Sequence, residues 1–139
     1  MRGFSLVELL VNLGVVMTLS AVSFPMVTTS LDTYRLRHDA RQLAARCQNA
    51  RFLAISSNIS HRLHWSGTRM EVQRRTAGSY TTVEFFWFSP GVAVVSAWEA
   101  DPVFSPRGTV APSATITLEN PRAMRRTVSI SVIGRVTEQ

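Results

Sequence analysis

The sequence predicts an α+β protein in which one long N-terminal helix is followed by a domain of antiparallel strands. Three observations predict it. Residues 4–30 form a nearly uninterrupted apolar run, residues 31–57 repeat apolar positions at intervals of three and four, and from residue 58 the period falls to two between turn-forming clusters. The chain therefore divides into an apolar half-helix (4–30), a water-exposed half-helix (31–57) and a β domain (58–139).

The apolar run comes first, and Glu8 is its puzzle: between Phe4 and Leu31 no other residue carries a charge. An acidic side chain at the centre of a spanning helix costs on the order of 3 kcal/mol, so such a residue marks a partner or a function unless it lies close to an interface. A removable secretory signal has a shorter apolar stretch ending in a small-residue cleavage site. Here the stretch continues through Pro25, and Phe4 to Val27 makes about 36 Å of helix, enough to cross a hydrocarbon core of about 30 Å with some tilt. It is expected to stay as an anchor. Asn12, Thr18, Ser20 and Ser23 make it a poor permanent membrane helix, and Pro25, which removes one backbone hydrogen bond, should kink it or loosen the preceding turn. Such a segment suits both lipid and protein surroundings.

The second half-helix places Leu36, Ala40, Leu43, Cys47, Ala50 and Ala54 on one face. That stripe is narrow and its side chains are mostly small, which lets a helix lie close against a sheet. Arg35 and Arg46 on one flank, with Arg37, Arg41 and Arg51 toward the other, read as a solvated border. Cys47, central in the stripe, reads as a small core residue.

Strands follow. Ile59, Leu63 and Trp65 alternate with polar positions, Thr68 to Arg75 alternates through Met70 and Val72, and Tyr80 to Phe88 is dense in aromatic and β-branched residues. Turn signals separate them at Ser66-Gly67, Ala77-Gly78-Ser79 and Ser89-Pro90-Gly91. Further strands are expected at Val92–Val95, Ala114–Glu119 and Thr127–Ile133.

Composition narrows the function. All fifteen basic residues are arginine, and from Leu31 onward 14 arginines face 8 acids, so the soluble part holds the whole net charge of +6. That surplus permits an acidic partner and also describes an ordinary arginine-rich surface. A single cysteine allows no internal disulfide. His61 and His64 are three apart in an expected strand and point to opposite faces, while His38 stands isolated on the helix, so no local metal pair forms. Neither a nucleophile elbow, a P-loop, paired cysteines nor an acidic metal cluster occurs. No enzymatic activity, cofactor or metal is expected.

The stretch Gly3-Phe4-Ser5-Leu6-Val7-Glu8-Leu9-Leu10 resembles the prepilin processing motif of type IV pilins and type II secretion pseudopilins. The resemblance implies a leader at 1–3, cleavage between Gly3 and Phe4 by a prepilin peptidase, and methylation of the new Phe4 amine. Glu8 becomes the fifth residue of the mature chain, and Pro25 falls where helices of this family usually carry a proline. The resemblance also answers the puzzle of Glu8, which would pair with the α-amine of Phe4 on a neighbouring subunit as helices bundle in a filament. A buried carboxylate is tolerable when it meets an opposite charge, so such a pair favours the assembled state.

The C-terminal stretch FSPRGTVAPSATITLENPRAMRRTVSISVIGRV resembles the H-type minor pseudopilins of type II secretion and the FimT-type minor pilins. These share a glycine turn (Phe104 to Thr109), a TITL-like strand (Thr115 to Leu118), a basic turn (Arg122 to Arg126), a final strand (Val128 to Val132) and a closing Gly134-Arg135. The resemblance implies a minor subunit at or near the tip of a secretion pseudopilus or a type IV pilus. Its partners would be other pilin or pseudopilin subunits, the prepilin peptidase and the bacterial inner membrane, spanned once with the C-terminal domain on the periplasmic side. Charge alone points the other way, because Arg35, Arg37 and Arg41 follow the apolar run and only Arg2 precedes it. Some FimT-type pilins bind DNA through a closing glycine-arginine-x-arginine. This chain closes with Gly134-Arg135-Val136-Thr137, so DNA capture through Arg122, Arg125, Arg126 and Arg135 is the alternative and not the expectation.

Processing between Gly3 and Phe4 is checked by N-terminal sequencing and intact mass of membrane-extracted protein. The expected product begins at Phe4 with a methylated amine. A mature chain that starts at Met1, or beyond Ser23, refutes the assignment.

Overall fold

The computed structural model describes residues 5–67 and 69–139, with the backbone alone for residues 22–27. Gly3 and Phe4 lie outside the described residues, as does the side chain of Pro25. One helix, α1 (Leu6–Ser57), runs for 52 residues and stays helical through Pro25. It ends where Asn58 turns left-handed (φ 55°), its N–H returning to the carbonyl of Ile55. Asparagine accepts that conformation more readily than most residues, so the stop needs no glycine.

Nine short strands follow: β1 (His61–Trp65), β2 (Met70–Thr76), β3 (Ser79–Phe86), β4 (Ala93–Ser96), β5 (Val103–Phe104), β6 (Val110–Ala111), β7 (Ala114–Glu119), β8 (Arg125–Ile130) and β9 (Val136–Glu138). They form two antiparallel sheets, ordered β3-β2-β1-β5-β6 and β4-β7-β8-β9. Helix α1 touches β1 and β5 of the first sheet and β7, β8 and β9 of the second, so its small-residue stripe closes one core shared by both. Leu36, Ala40, Leu43, Cys47, Ala50 and Ala54 are at most 2% exposed, as their spacing predicts.

Alternation supplies the sheet side of that core. Leu63 lies opposite Val72 and Met70 opposite Phe86 in the first sheet, while Ile116 faces Val128 and Ala114 faces Ile130 in the second. Burying each large apolar side chain stabilises the domain by about 1.5–3 kcal/mol. Burial also pushes the Cys47 thiol up to about 12, far from the thiolate form that reacts.

Four expectations need correction. The two-residue strands β5 and β6 and the terminal β9 carry too few alternating residues to register as a period. The strand expected to reach Ile133 ends at Ile130, because residues 131–134 turn, the Gly134 N–H donating to the Ser131 carbonyl at 2.8 Å and leaving Val132 and Ile133 exposed. Arg46 is not a plain solvated residue: it pairs with Glu84 and its guanidinium lies over the Phe86 ring. Arg51, likewise expected in solvent, is half-buried and donates from Nε to the Gly108 carbonyl (3.0 Å) and from Nη1 to the Gly134 carbonyl (3.1 Å).

Gly134 is buried at φ +76°, and a Cβ there would lie 2.5 Å from the Gly108 carbonyl oxygen and 2.6 Å from Arg51 Nε. Left-handed strain alone costs about 1–2 kcal/mol, so with the steric clash added Gly134→Ala should lose roughly 3 kcal/mol or more. Gly78, at φ +90° with open space around it, is the control. Its alanine variant should lose only the strain, about 1–2 kcal/mol. Urea unfolding followed by tryptophan fluorescence compares the two. Equal losses would mean that the packing around Gly134 contributes nothing.

Candidate functional site

The side chains of residues 5–21 are exposed along the helix. Leu6, Val7, Leu9, Leu10, Val11 and Leu19 are each 58–75% exposed, and Glu8 lies among them in the first turn. Among the described residues no helix is long and apolar enough to cross a membrane. An apolar helix surface of this extent, interrupted by one carboxylate, has no cover within the molecule.

The four arginines of the DNA-capture alternative are split between two places. Arg122, Arg125 and Arg126 belong to the β7–β8 hairpin, whose tip is held by Asn120: its Oδ1 accepts the backbone N–H groups of Arg122 and Met124, each at 3.0 Å. Arg122 reaches Asp32 on the helix at 3.4 Å, and Arg125 pairs with Glu119 at 2.5 Å. Arg135 sits on the β8–β9 turn beside the Arg51 clamp, its N–H donating to Ser131 Oγ at 3.1 Å. From Asp32 to Arg51 is nineteen residues of α1, about 28 Å along the axis. The tip trio and Arg135 do not form one patch.

A further surface went unnoticed in the sequence. On the outward face of the first sheet, Arg62 Nε donates to Gln73 Oε1 (2.6 Å), Gln73 Nε2 donates to Glu71 Oε2 (2.9 Å), and Thr82 Oγ1 donates to the same oxygen (2.8 Å). Arg69 donates to Glu71 Oε1 at 2.7 Å. Aromatic rings flank the chain of bonds: Arg62 lies 3.9 Å over Tyr80, and Arg69 lies 5.0 Å over Phe85 and 5.8 Å over Trp87. Polar Glu71 and Gln73 alternating with Met70 and Val72 were the available signal. Which arginine would cover them depended on strand pairing.

Histidine placement follows the strand. His61 is buried with Nδ1 against the Ile59 carbonyl, and His64 meets Asp101 at 2.7 Å on the outward face. Among the described residues, no group of three or more His, Cys, Asp or Glu could hold a metal ion.

No family model matches the chain, and no curated protein matches it in sequence. Solved structures do match in fold. The minor pseudopilin EpsH from the type II secretion system of Vibrio cholerae superposes with a TM-score of 0.66 at 12% identity, over 76% of this chain and 96% of that one. The type IV minor pilin FimU of Pseudomonas aeruginosa superposes with a TM-score of 0.65 at 20% identity, over 77% of this chain and 90% of that one. The chain therefore has a pilin-like fold, a helix packed on antiparallel sheets.

Hydrogen bonds from Thr82, Gln73 and Arg69 hold the Glu71 carboxyl down at about 2, from an ordinary 4.5. Because the folded value lies below the unfolded one, the stabilisation is complete above about pH 4.5 and is lost as pH falls toward 2. Glu71→Gln, which turns an amide donor toward Gln73, should be less stable than the native chain at neutral pH. The gap in urea midpoint should close as the pH approaches 2. A gap independent of pH would show that the carboxylate is not what the network stabilises.

Proposed function

We propose that this chain is a non-enzymatic minor subunit of an envelope filament, a type II secretion pseudopilus or a type IV pilus, acting by assembly at or near the tip. The observation that carries the reading is the combination of a pilin-like β domain with an uncovered apolar helix bearing the lone carboxylate of Glu8. In this reading residues 4–30 anchor the chain once in the inner membrane, residues 31–57 hold the helix to the domain, and residues 58–139 lie on the periplasmic side. Prepilin peptidase removes residues 1–3 between Gly3 and Phe4, and the Phe4 amine is methylated. On assembly the helix exchanges lipid for neighbouring helices, and Glu8 meets the Phe4 amine of the next subunit, with Pro25 easing the helix into the bundle.

Physical chemistry supports the exchange. Lipid tails and leucine side chains are equally apolar, so moving the helix between them is nearly neutral, and the charge pair biases the balance toward the filament. The alternative, a DNA-capturing subunit using Arg122, Arg125, Arg126 and Arg135, is weakened by the separation of Arg135 from the other three.

Glu8→Leu tests the reading. It removes a costly charge from the membrane segment, so insertion and domain folding should be unchanged or improved while filament incorporation falls. Shearing and immunoblotting of cells read incorporation, and carbonate extraction reads insertion. Wild-type incorporation of the leucine variant would refute the role given to Glu8.

A further inference from the structure

Where α1 meets the second sheet, three arginines line one cavity. Arg37 of the helix and Arg125 and Arg126 of β8 surround about 270 Å³, with Thr33, Leu36 and Met124 as the other walls. Arg125 is paired with Glu119, and the nearby Asp32 is turned to Arg122. Among the described residues, neither Arg37 nor Arg126 has a carboxylate within salt-bridge reach. Asn120 fixes the hairpin tip through both backbone N–H groups it accepts, so the cationic wall is held in place without a ligand.

The place of this cavity along the helix identifies what fits it. Val27 is the last apolar residue before Thr28-Thr29-Ser30, and Thr33 and Arg37 follow six and ten residues later, about 9 and 15 Å along the axis. The headgroup layer extends about 5–8 Å beyond the hydrocarbon on each side, and arginine stems let their charged ends reach toward it. Guanidinium groups bind phosphate bidentately, and Met124, 37% exposed at the same tip, offers an apolar contact beside them. We propose that this cavity takes the phosphate of an anionic phospholipid headgroup and docks the β domain on the membrane surface before the subunit enters a filament. The inference rests on the anchored reading above. A DNA duplex fits less well, because Arg122, Arg125 and Arg126 are confined to one hairpin tip and Arg135 lies too far along the molecule to extend it.

The full-length protein is reconstituted in vesicles of phosphatidylcholine, or of phosphatidylcholine with equimolar phosphatidylglycerol. An environment-sensitive fluorophore is placed on Met124→Cys and, as the control, on Thr137→Cys; buried Cys47, its thiol pushed up to about 12, does not compete for the label. The expected result is a shift at position 124 only with phosphatidylglycerol, and none at 137. The shift should be abolished near 1 M salt, where charges are screened beyond about 3 Å. Arg37→Gln and Arg126→Gln should each lower the docked-to-undocked ratio about fivefold. Identical signals in both vesicles, or a full response in the double variant, overturn the docking while leaving the anchor intact. Protein that fails to float with either vesicle overturns the anchor and the docking with it. A signal at 124 produced in neutral vesicles by duplex DNA at physiological salt, and lost in the same variants, assigns the cavity to nucleic acid instead.

Discussion

At the far end of the helix one side chain ties the two sheets together. Arg51 directs two guanidinium nitrogens at the carbonyls of Gly108 and Gly134, which lie 57 and 83 residues away in turns of different sheets. A planar fork is suited to this because both donors are fixed in one geometry, and hydrogen bonds from a charged donor are worth about 1.5–3 kcal/mol each. Glycine is required on the receiving side, since a side chain at residue 134 would occupy the space that the guanidinium and the Gly108 carbonyl share. A backbone bond from the Val110 N–H to the Val132 carbonyl runs alongside and completes the joint.

Lower on the helix the polarity is reversed. Asp39, buried at 4% exposure, accepts the backbone N–H of Ser89 at 2.7 Å and its hydroxyl at 2.8 Å, tying the β3–β4 loop to α1. An acceptor at residue 39 and a donor at residue 51 thus bracket about 18 Å of helix. Between them Ala40, Cys47 and Ala50 are small enough to bring the helix axis close to both sheets. The domain is held to the helix by charge-assisted bonds at each end and by apolar contact in the middle, while the first half of α1 is left without protein cover.

The excess of arginine has no single purpose. Among the described residues Arg46 meets Glu84, Arg62 meets Asp101, Arg69 meets Glu71, Arg122 meets Asp32 and Arg125 meets Glu119, so five of the cations are locally neutralised. The exposed pairs among them contribute at most about 1 kcal/mol each, and their main effect is to leave the unpaired arginines as the groups available to a partner. Position then matters more than number: Arg37 and Arg126 lie at the end of the domain nearer the apolar run, and Arg135 lies by the clamp at the opposite end.

Much of this architecture was legible in residue order because it rests on local periodicity. The stripe from Leu36 to Ala54 and the alternation of Ile116 with Leu118 or Val128 with Ile130 depend only on 3.6- and 2-residue repeats, which any stretch carries within itself. The Glu8 anomaly is equally local, since a charge inside an apolar run is visible without a fold. What tertiary structure decided were contacts between segments far apart in the chain. Strands of two residues are created by their partners, so β5 and β6 exist only because β1 offers an edge to pair with. Arg51 looked like its solvated neighbours because the carbonyls it serves lie on turns that come near only after both sheets close. The closing Gly134-Arg135 reads in sequence as a basic motif. In the folded chain its glycine makes room for Arg51, a role set by packing that no spacing along the sequence encodes.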